Sequence, residues 1–157
     1  MEGTDRGLRI KTRRGRGGLV SDIAMEDVTM DGVLTAFSAN AFYHCDADGH
    51  DPWVQDRAPA PVDASTPRVE GIRVSGVRVS RLSHALGAFL GLPEAPITGI
   101  RIEGIVLGPF DPAAEPAPPI MADAVRPMRH ETIAAEWAET STDCPELLSG
   151  RPISHVE

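Results

Sequence analysis

The sequence is short of aromatic residues, cysteines and long apolar runs, and each shortage excludes a class of structure. Aromatic residues make up 4% of the 157 positions, which leaves few large anchors for packing long helices. The two cysteines, Cys45 and Cys144, are too few for a disulfide framework, although one bridge or two free thiols are both compatible with them. No run reaches the roughly 18 apolar residues of a membrane-spanning helix, and the polar start MEGTDRG shows no secretory signal.

Turn-forming residues are abundant instead, and the charge is unevenly distributed. The 15 glycines and 14 prolines predict many turns between short elements, and a hydrophobic content of 41% suits one globular domain. The formal net charge is −8, yet residues 1–18 hold six basic and two acidic side chains, which gives +4 there and −12 elsewhere. The basic string RRGRGG has no interleaved aromatic residues to stack on bases. We therefore expect no nucleic-acid partner, and the missing apolar span predicts no membrane partner.

Three segments share one apolar pattern. In Val20–Met30, Val69–Val79 and Ile97–Leu107, apolar residues occupy offsets 0, 3, 5, 8 and 10. These offsets scatter around a helix and form no single apolar face. The same offsets fit β-strands, because apolar and polar residues alternate in each half of the segment and a small polar turn separates the two halves. Each segment therefore predicts a strand, a tight turn and another strand.

The spacing of these segments predicts an all-β solenoid. Ile23 and Ile72 are 49 positions apart, and Ile72 and Ile100 are 28 apart. A period in the twenties favours stacked coils, with Ile23, Ile72 and Ile100 pointing into one core. The longer gap is explained by an insertion at about 44–67 (His44–Pro67), which is rich in proline and aspartate. The alternative is a β-sandwich made of hairpins.

The remaining segments complete the expected domain organisation. The apolar runs Val33–Tyr43 and Leu86–Gly91 could form the third face of each coil, so the coils occupy residues 1–110. Residues 111–157 read as a proline-rich linker, a short helix over His130–Thr140 and a weakly ordered tail.

The stretch GLRIKTRRGRGGLVSDIAMEDVTM, with GLPEAPITGIRIEGI further on, resembles the later part of glycoside hydrolase family 28, the polygalacturonases. The resemblance runs from about Gly3 to about Glu131. It implies a right-handed parallel β-helix and the hydrolysis of polygalacturonan, the acidic backbone of pectin. It also implies a galacturonate-containing saccharide as the partner, with no cofactor and no metal.

The resemblance also implies three substrate-binding residues. Arg9 and Lys11 match the family's Arg-Ile-Lys string, which binds the carboxylate of a galacturonate unit, and Tyr43 matches a substrate-contacting tyrosine. Strand alternation agrees, because it puts Arg9 and Lys11 on one face and Ile10 on the other. Two cations on one face can hold a single carboxylate.

No catalytic residue can be assigned. The family hydrolyses with inversion, which needs an acid and a base roughly 6.5–9.5 Å apart. Its aspartates, in an Asn-Thr-Asp string and an Asp-Asp pair, and its Gly-His-Gly histidine precede the Arg-Ile-Lys string, and none precedes Arg9 here. We therefore expect a C-terminal fragment that is inactive alone. The alternatives are a non-catalytic β-helix that binds acidic oligosaccharides and a decayed fragment without function.

Other features have simpler interpretations. His44–Asp51 crowds potential metal ligands, but its spacing fits neither a calcium loop nor a zinc site, which favours a polar surface insertion. Arg13, Arg14 and Arg16 are expected in a solvated loop. Trp53 is expected to be a packing anchor, unless its loop borders the cleft.

The first coil has an expected consequence for association. The strand Leu8–Lys11 follows no amphipathic helix that could cover it. We expect an open apolar end near Leu8 and Ile10 and self-association through this edge.

Overall fold

Short parallel strands dominate the computed structural model, which describes residues 1–115 and 128–149. Two short helical elements accompany them, the α-helix Pro52–Gln55 and the 3₁₀ helix Pro145–Ser149. The strands are β1 (Arg6–Lys11), β2 (Leu19–Val20), β3 (Ile23–Glu26), β4 (Thr29–Asp31), β5 (Thr35–Asn40), β6 (Arg68–Val69), β7 (Ile72–Ser75), β8 (Arg78–Ser80), β9 (Ala85–Leu90), β10 (Ile97–Glu103), β11 (Val106–Leu107), β12 (Glu131–Glu136) and β13 (Ala138–Thr142).

The strands stack into a parallel β-helix. One sheet has the order β1-β5-β9-β12, a second β13-β10-β7-β3, a third β11-β8-β4, and β2 pairs with β6. Every ladder between these strands is parallel and joins a strand to its equivalent one coil away. The predicted parallel β-helix is confirmed, and the hairpin sandwich is excluded because hairpins would pair antiparallel.

The repeated isoleucines stack in one core, as the pattern predicts. Ile23 pairs with Ile72, and the pairing of Arg101 with Arg73 puts Ile100 beside Ile72 on the next coil. Ile72 is fully buried and Ile100 is 1% exposed, whereas Ile23 is half-buried on the outer coil. The three residues therefore form a single apolar column.

The turns inside the repeat need a left-handed backbone. At offset 7 of each segment the structure has Asp27, Gly76 and Gly104, with φ of 53°, 63° and 59°. Only glycine adopts this conformation without steric cost, and aspartate tolerates it better than most residues. The small polar residues between the two halves of each repeat are therefore required by the turn.

The third face follows the prediction, and the insertion adds one short helix. β5 and β9, from the two apolar runs, pair in parallel. The chain then leaves the coil for residues 41–67, where Val54 of Pro52–Gln55 is completely buried. At the start of this segment, Ala41 and Phe42 lie in a buried apolar cluster with Leu90 and Leu92, which attaches the insertion to the coils.

The expected helix over His130–Thr140 is wrong, because this segment forms β12 and β13. β12 pairs with β9, and β13 pairs with β10. Ile133 enters the core, and Trp137, with a φ of 48°, makes the bend between the strands. Pairing with the preceding coil overrides a weak helix propensity. Most of the predicted linker and residues 150–157 of the predicted tail lie outside the described residues, whereas the first part of the tail holds the end of β13 and the 3₁₀ helix Pro145–Ser149.

The first strand is an edge of its sheet. Within the described part of the chain, β1 forms a ladder with β5 alone, while Leu8 is half-buried and Ile10 is 9% exposed. Self-association through this edge stays a prediction. Among the described helices, none has the length and apolar character needed to cross a bilayer.

Replacing Ile72 with Ala should lower the free energy of unfolding by about 2–5 kcal/mol, because a fully buried side chain leaves a cavity between coils. Arg73→Ala is the matched control: it changes the next, exposed position of the same strand and should cost within about 0.5 kcal/mol. Chemical denaturation of both variants measures the difference. Equal destabilisation would contradict the assigned core.

Candidate functional site

Arg9 and Lys11 lie on the outer face of β1. Leu8 and Ile10 pack into the core, whereas the alternate residues Arg9 and Lys11 are exposed. The strand thus presents two cations to solvent from one face, two residues apart.

Tyr43 lies beside Lys11, although the two are 32 positions apart. The Tyr43 N–H donates to the Thr12 carbonyl at 3.0 Å, which fixes the residue just beyond the ends of β1 and β5. The Lys11 Nζ lies 3.4 Å from the Tyr43 hydroxyl and 4.8 Å from the ring centroid. The structure therefore brings Lys11 and Tyr43 into direct contact on the face that carries Arg9.

Arg9 has a weak local partner. Its Nη1 lies 3.4 Å from the Asp5 Oδ2, and the two side chains are 32% and 49% exposed. An exposed pair of this kind contributes at most about 1 kcal/mol. It orients the guanidinium, yet a ligand carboxylate can compete with Asp5 for it.

Arg14 anchors the insertion beneath this surface. Its Nε donates to the Glu94 Oε1 at 2.6 Å and its Nη2 to Oε2 at 2.8 Å. The same guanidinium donates to the carbonyls of Trp53, Asp56 and Ala58 at 3.2, 2.5 and 3.0 Å. One side chain therefore ties the insertion to the turn after β9.

The pair between Arg14 and Glu94 is buried, with side chains 6% and 4% exposed. The hydrogen bonds to Glu94 raise the pKa of Arg14 despite its burial. Burial is the largest single effect on the pKa of Glu94 and would raise it. The Arg14 hydrogen bonds, backbone hydrogen bonds and the charge of Arg14 together outweigh burial and leave that pKa below its usual value. Arg14 and Glu94 therefore both stay charged, and each compensates the buried charge of the other.

Arg13 and Arg16 bind the acidic part of the insertion. Arg13 donates to Asp46 at 3.2 Å and to Asp48 at 2.5 Å, and Arg16 also pairs with Asp46. These arginines, Arg16 first, hold the pKa of Asp46 below its usual range.

The expectation of a solvated loop is wrong for Arg13 and Arg14, which are 7% and 5% exposed. Arg16 is more exposed, and its guanidinium lies 5.6 Å from the centroid of the Tyr43 ring. Tyr43 is therefore in contact range of Lys11 and Arg16. No sequence signal marked these partners, because they lie 27 or more positions away.

The other candidates in the insertion are also placed by the structure. No cluster of three His, Cys, Asp or Glu side chains suitable for a metal occurs within residues 1–115 and 128–149; Asp46 and Asp48 bind arginines instead. Trp53 is 50% exposed, and its Nε1 donates to the Asp51 Oδ2 at 3.3 Å.

The fold and the site together define a parallel β-helix with cations and a tyrosine on the outer face of one sheet. Such a surface can hold an anionic ligand by charge-assisted hydrogen bonds and by contact with an aromatic ring.

Comparison with known proteins finds a distant relative that is much longer than this chain. The chain is 29% identical over 161 residues to a protein of Vitis vinifera named "Probable polygalacturonase". The match covers 98% of this chain and 30% of that protein, so the chain spans about a third of the relative's length. No protein-family profile matches the chain, and no solved structure matches it. The chain is thus a distant, partial relative of a protein named as a polygalacturonase.

The buried pair predicts a specific pH dependence for Glu94→Gln. The substitution should cost about 3 kcal/mol near neutral pH, because Arg14 loses its buried counter-charge. Because the pKa of Glu94 is lower in the folded protein than in the unfolded chain, its charged form stabilises the fold at pH values above the unfolded pKa of 4.5. This stabilisation is lost as the pH falls through the lower pKa of the folded state.

Denaturation of wild type and Glu94→Gln between neutral and acid pH measures this effect. The difference in the free energy of unfolding between wild type and Glu94→Gln should become smaller at pH values below the unfolded Glu pKa. Glu103→Gln, at an exposed strand position, is the control and should show almost no gap. A gap that stays constant with pH would contradict the assigned pair.

Proposed function

We propose that this chain carries part of the galacturonan-binding site of a polygalacturonase-like protein. The observation that carries the proposal is the grouping of Arg9, Lys11 and Tyr43 on the outer face of β1 and just beyond it. The similarity to a polygalacturonase supports galacturonan as the ligand class.

The chemistry of the three side chains suits an acidic sugar. A guanidinium offers a planar fork to a carboxylate, and an ammonium adds a compact charge. The ring of Tyr43 offers an apolar face to the sugar and a hydroxyl for hydrogen bonding. On a chain of net charge −8, a local cationic patch directs a polyanion to this one surface.

Arg9→Ala and Lys11→Ala should each weaken the binding of galacturonate oligomers about tenfold, because each removes a charge-assisted hydrogen bond. Binding should weaken as salt is added, and fully methyl-esterified oligomers should bind poorly. Isothermal titration calorimetry measures the affinities. Arg78→Ala is the control, since Arg78 is exposed on β8, in another sheet.

Unchanged affinity in Arg9→Ala and Lys11→Ala would contradict the proposed site. An equal loss in Arg78→Ala would show that only the net charge matters. Thermal unfolding of each variant separates lost binding from lost folding.

The second candidate is binding without hydrolysis. The sequence supports it, because the Asn-Thr-Asp string, the Asp-Asp pair and the Gly-His-Gly motif of the polygalacturonases do not occur in these 157 residues. We expect no reducing ends to be released from polygalacturonate by the purified chain. A reducing-sugar assay tests this. Activity that persists through repurification, and that Lys11→Ala lowers, would contradict this expectation while supporting the galacturonan site.

A further inference from the structure

Arg57, in the insertion, is stacked on two aromatic rings. Its guanidinium carbon lies 4.1 Å from the centroid of Phe42 and 5.8 Å from that of Trp137. The two rings are themselves 6.0 Å apart. Stacking on both rings fixes the orientation of the guanidinium before any ligand arrives.

These rings lie at the same end of the sheet as the proposed galacturonan site. Lys11 pairs with Asn40 on β5, Asn40 with Leu90 on β9, and Leu90 with Glu136 on β12. Phe42 follows β5 by two residues and precedes Tyr43, and Trp137 follows β12 directly. Arg57 therefore borders the carboxyl end of the sheet whose first strand ends at Lys11.

The charge of Arg57 lacks a counter-ion among residues 1–115 and 128–149. Its Nη1 is buried and finds no hydrogen-bond acceptor in this part of the chain. Arg14, by contrast, satisfies its guanidinium with a carboxylate and three carbonyls. A partly desolvated cation without an acceptor is costly, so an anion that reaches its exposed part gains affinity.

The electrostatics agree with this geometry. Burial is the main cause that lowers the pKa of Arg57, and the nearby charge of Arg14 adds to it. Only Glu136 acts in the opposite direction, without forming an ion pair with Arg57 in the described structure. A carboxylate bound to Arg57 would offset both the cost of burying its charge and the repulsion from Arg14.

We infer that Arg57 is a second carboxylate-binding group, one that engages another unit of the acidic saccharide held at Lys11. This rests on the proposed function. Arg57 lies over Phe42, which follows β5, and near Trp137, which follows β12. Because polygalacturonan carries a carboxylate on every sugar, an oligomer offers separate carboxylates to Lys11 and to Arg57, whereas a single galacturonate has only one.

The experiment compares wild type, Arg57→Gln and Arg57→Lys with galacturonate and its oligomers of two to six units. Arg57→Gln should weaken the hexamer about tenfold and leave the monomer unchanged. Arg57→Lys should recover part of the loss, because it keeps the charge but not the fork. Arg78→Gln is the matched charge control and should leave the hexamer affinity unchanged.

A second readout is independent of whether Arg57→Gln folds well. In a Trp53→Phe background, Trp137 is the remaining tryptophan and lies against Arg57. The hexamer should change its fluorescence, and the monomer should not. No fluorescence change at saturating hexamer would overturn the inference.

The outcomes also separate the inference from the proposed function. If Lys11→Ala loses binding while Arg57→Gln keeps full hexamer affinity, the inference is overturned and the proposed function stands. If Arg57→Gln loses binding while Arg9→Ala and Lys11→Ala do not, the assigned Arg9–Lys11 site fails and the inferred Arg57 contact survives alone. A wild type that binds no oligomer overturns both.

Discussion

In-register stacking of each coil on the next is the constraint on which the rest of this structure depends. Each parallel ladder satisfies the backbone of one coil with that of its neighbour and aligns equivalent side chains in columns. Inward columns such as Ile23–Ile72–Ile100 form the core. The same ladder fixes the outward positions of β1, the edge strand of its sheet, which is how β1 presents Arg9 and Lys11 without help from a flexible loop.

The irregular insertion is held by buried charge. Ala41 and Phe42 give residues 41–67 an apolar attachment at their start. Further along, Arg13 and Arg14 bind two aspartates, one glutamate and several carbonyls. Both arginines directly follow Lys11 and Thr12 along the chain. The end of β1 therefore provides the exposed cations and also the buried arginines that hold the insertion in place. The basic stretch of residues 1–18 therefore has two roles: outward cations for a ligand and buried cations that fasten the insertion beside Tyr43.

The sequence predicted the coils because apolar offsets repeat wherever one coil copies another. It failed at His130–Thr140, where good helix formers are recruited as strands by β9 and β10; such pairing is decided by distant residues and leaves no local mark. Tyr43 was identified as a site residue only through the family resemblance, and its contact with Lys11 was not predicted. No periodicity of the sequence encodes contacts between distant residues. The pairing of Arg14 with Glu94, 80 positions apart, is one such contact. The stacking of Arg57 on Phe42 and Trp137 is another.

The central claim is that the outer face of β1, with Tyr43 beside it, binds an acidic saccharide. The most direct test is amide NMR mapping of the ¹⁵N-labelled chain titrated with galacturonate hexamer. The account predicts shift changes concentrated at Arg9–Lys11 and Tyr43 that grow with ligand and diminish in high salt. Changes centred on the outer face of β7 and β10, or spread evenly over exposed arginines such as Arg73 and Arg101, would contradict it.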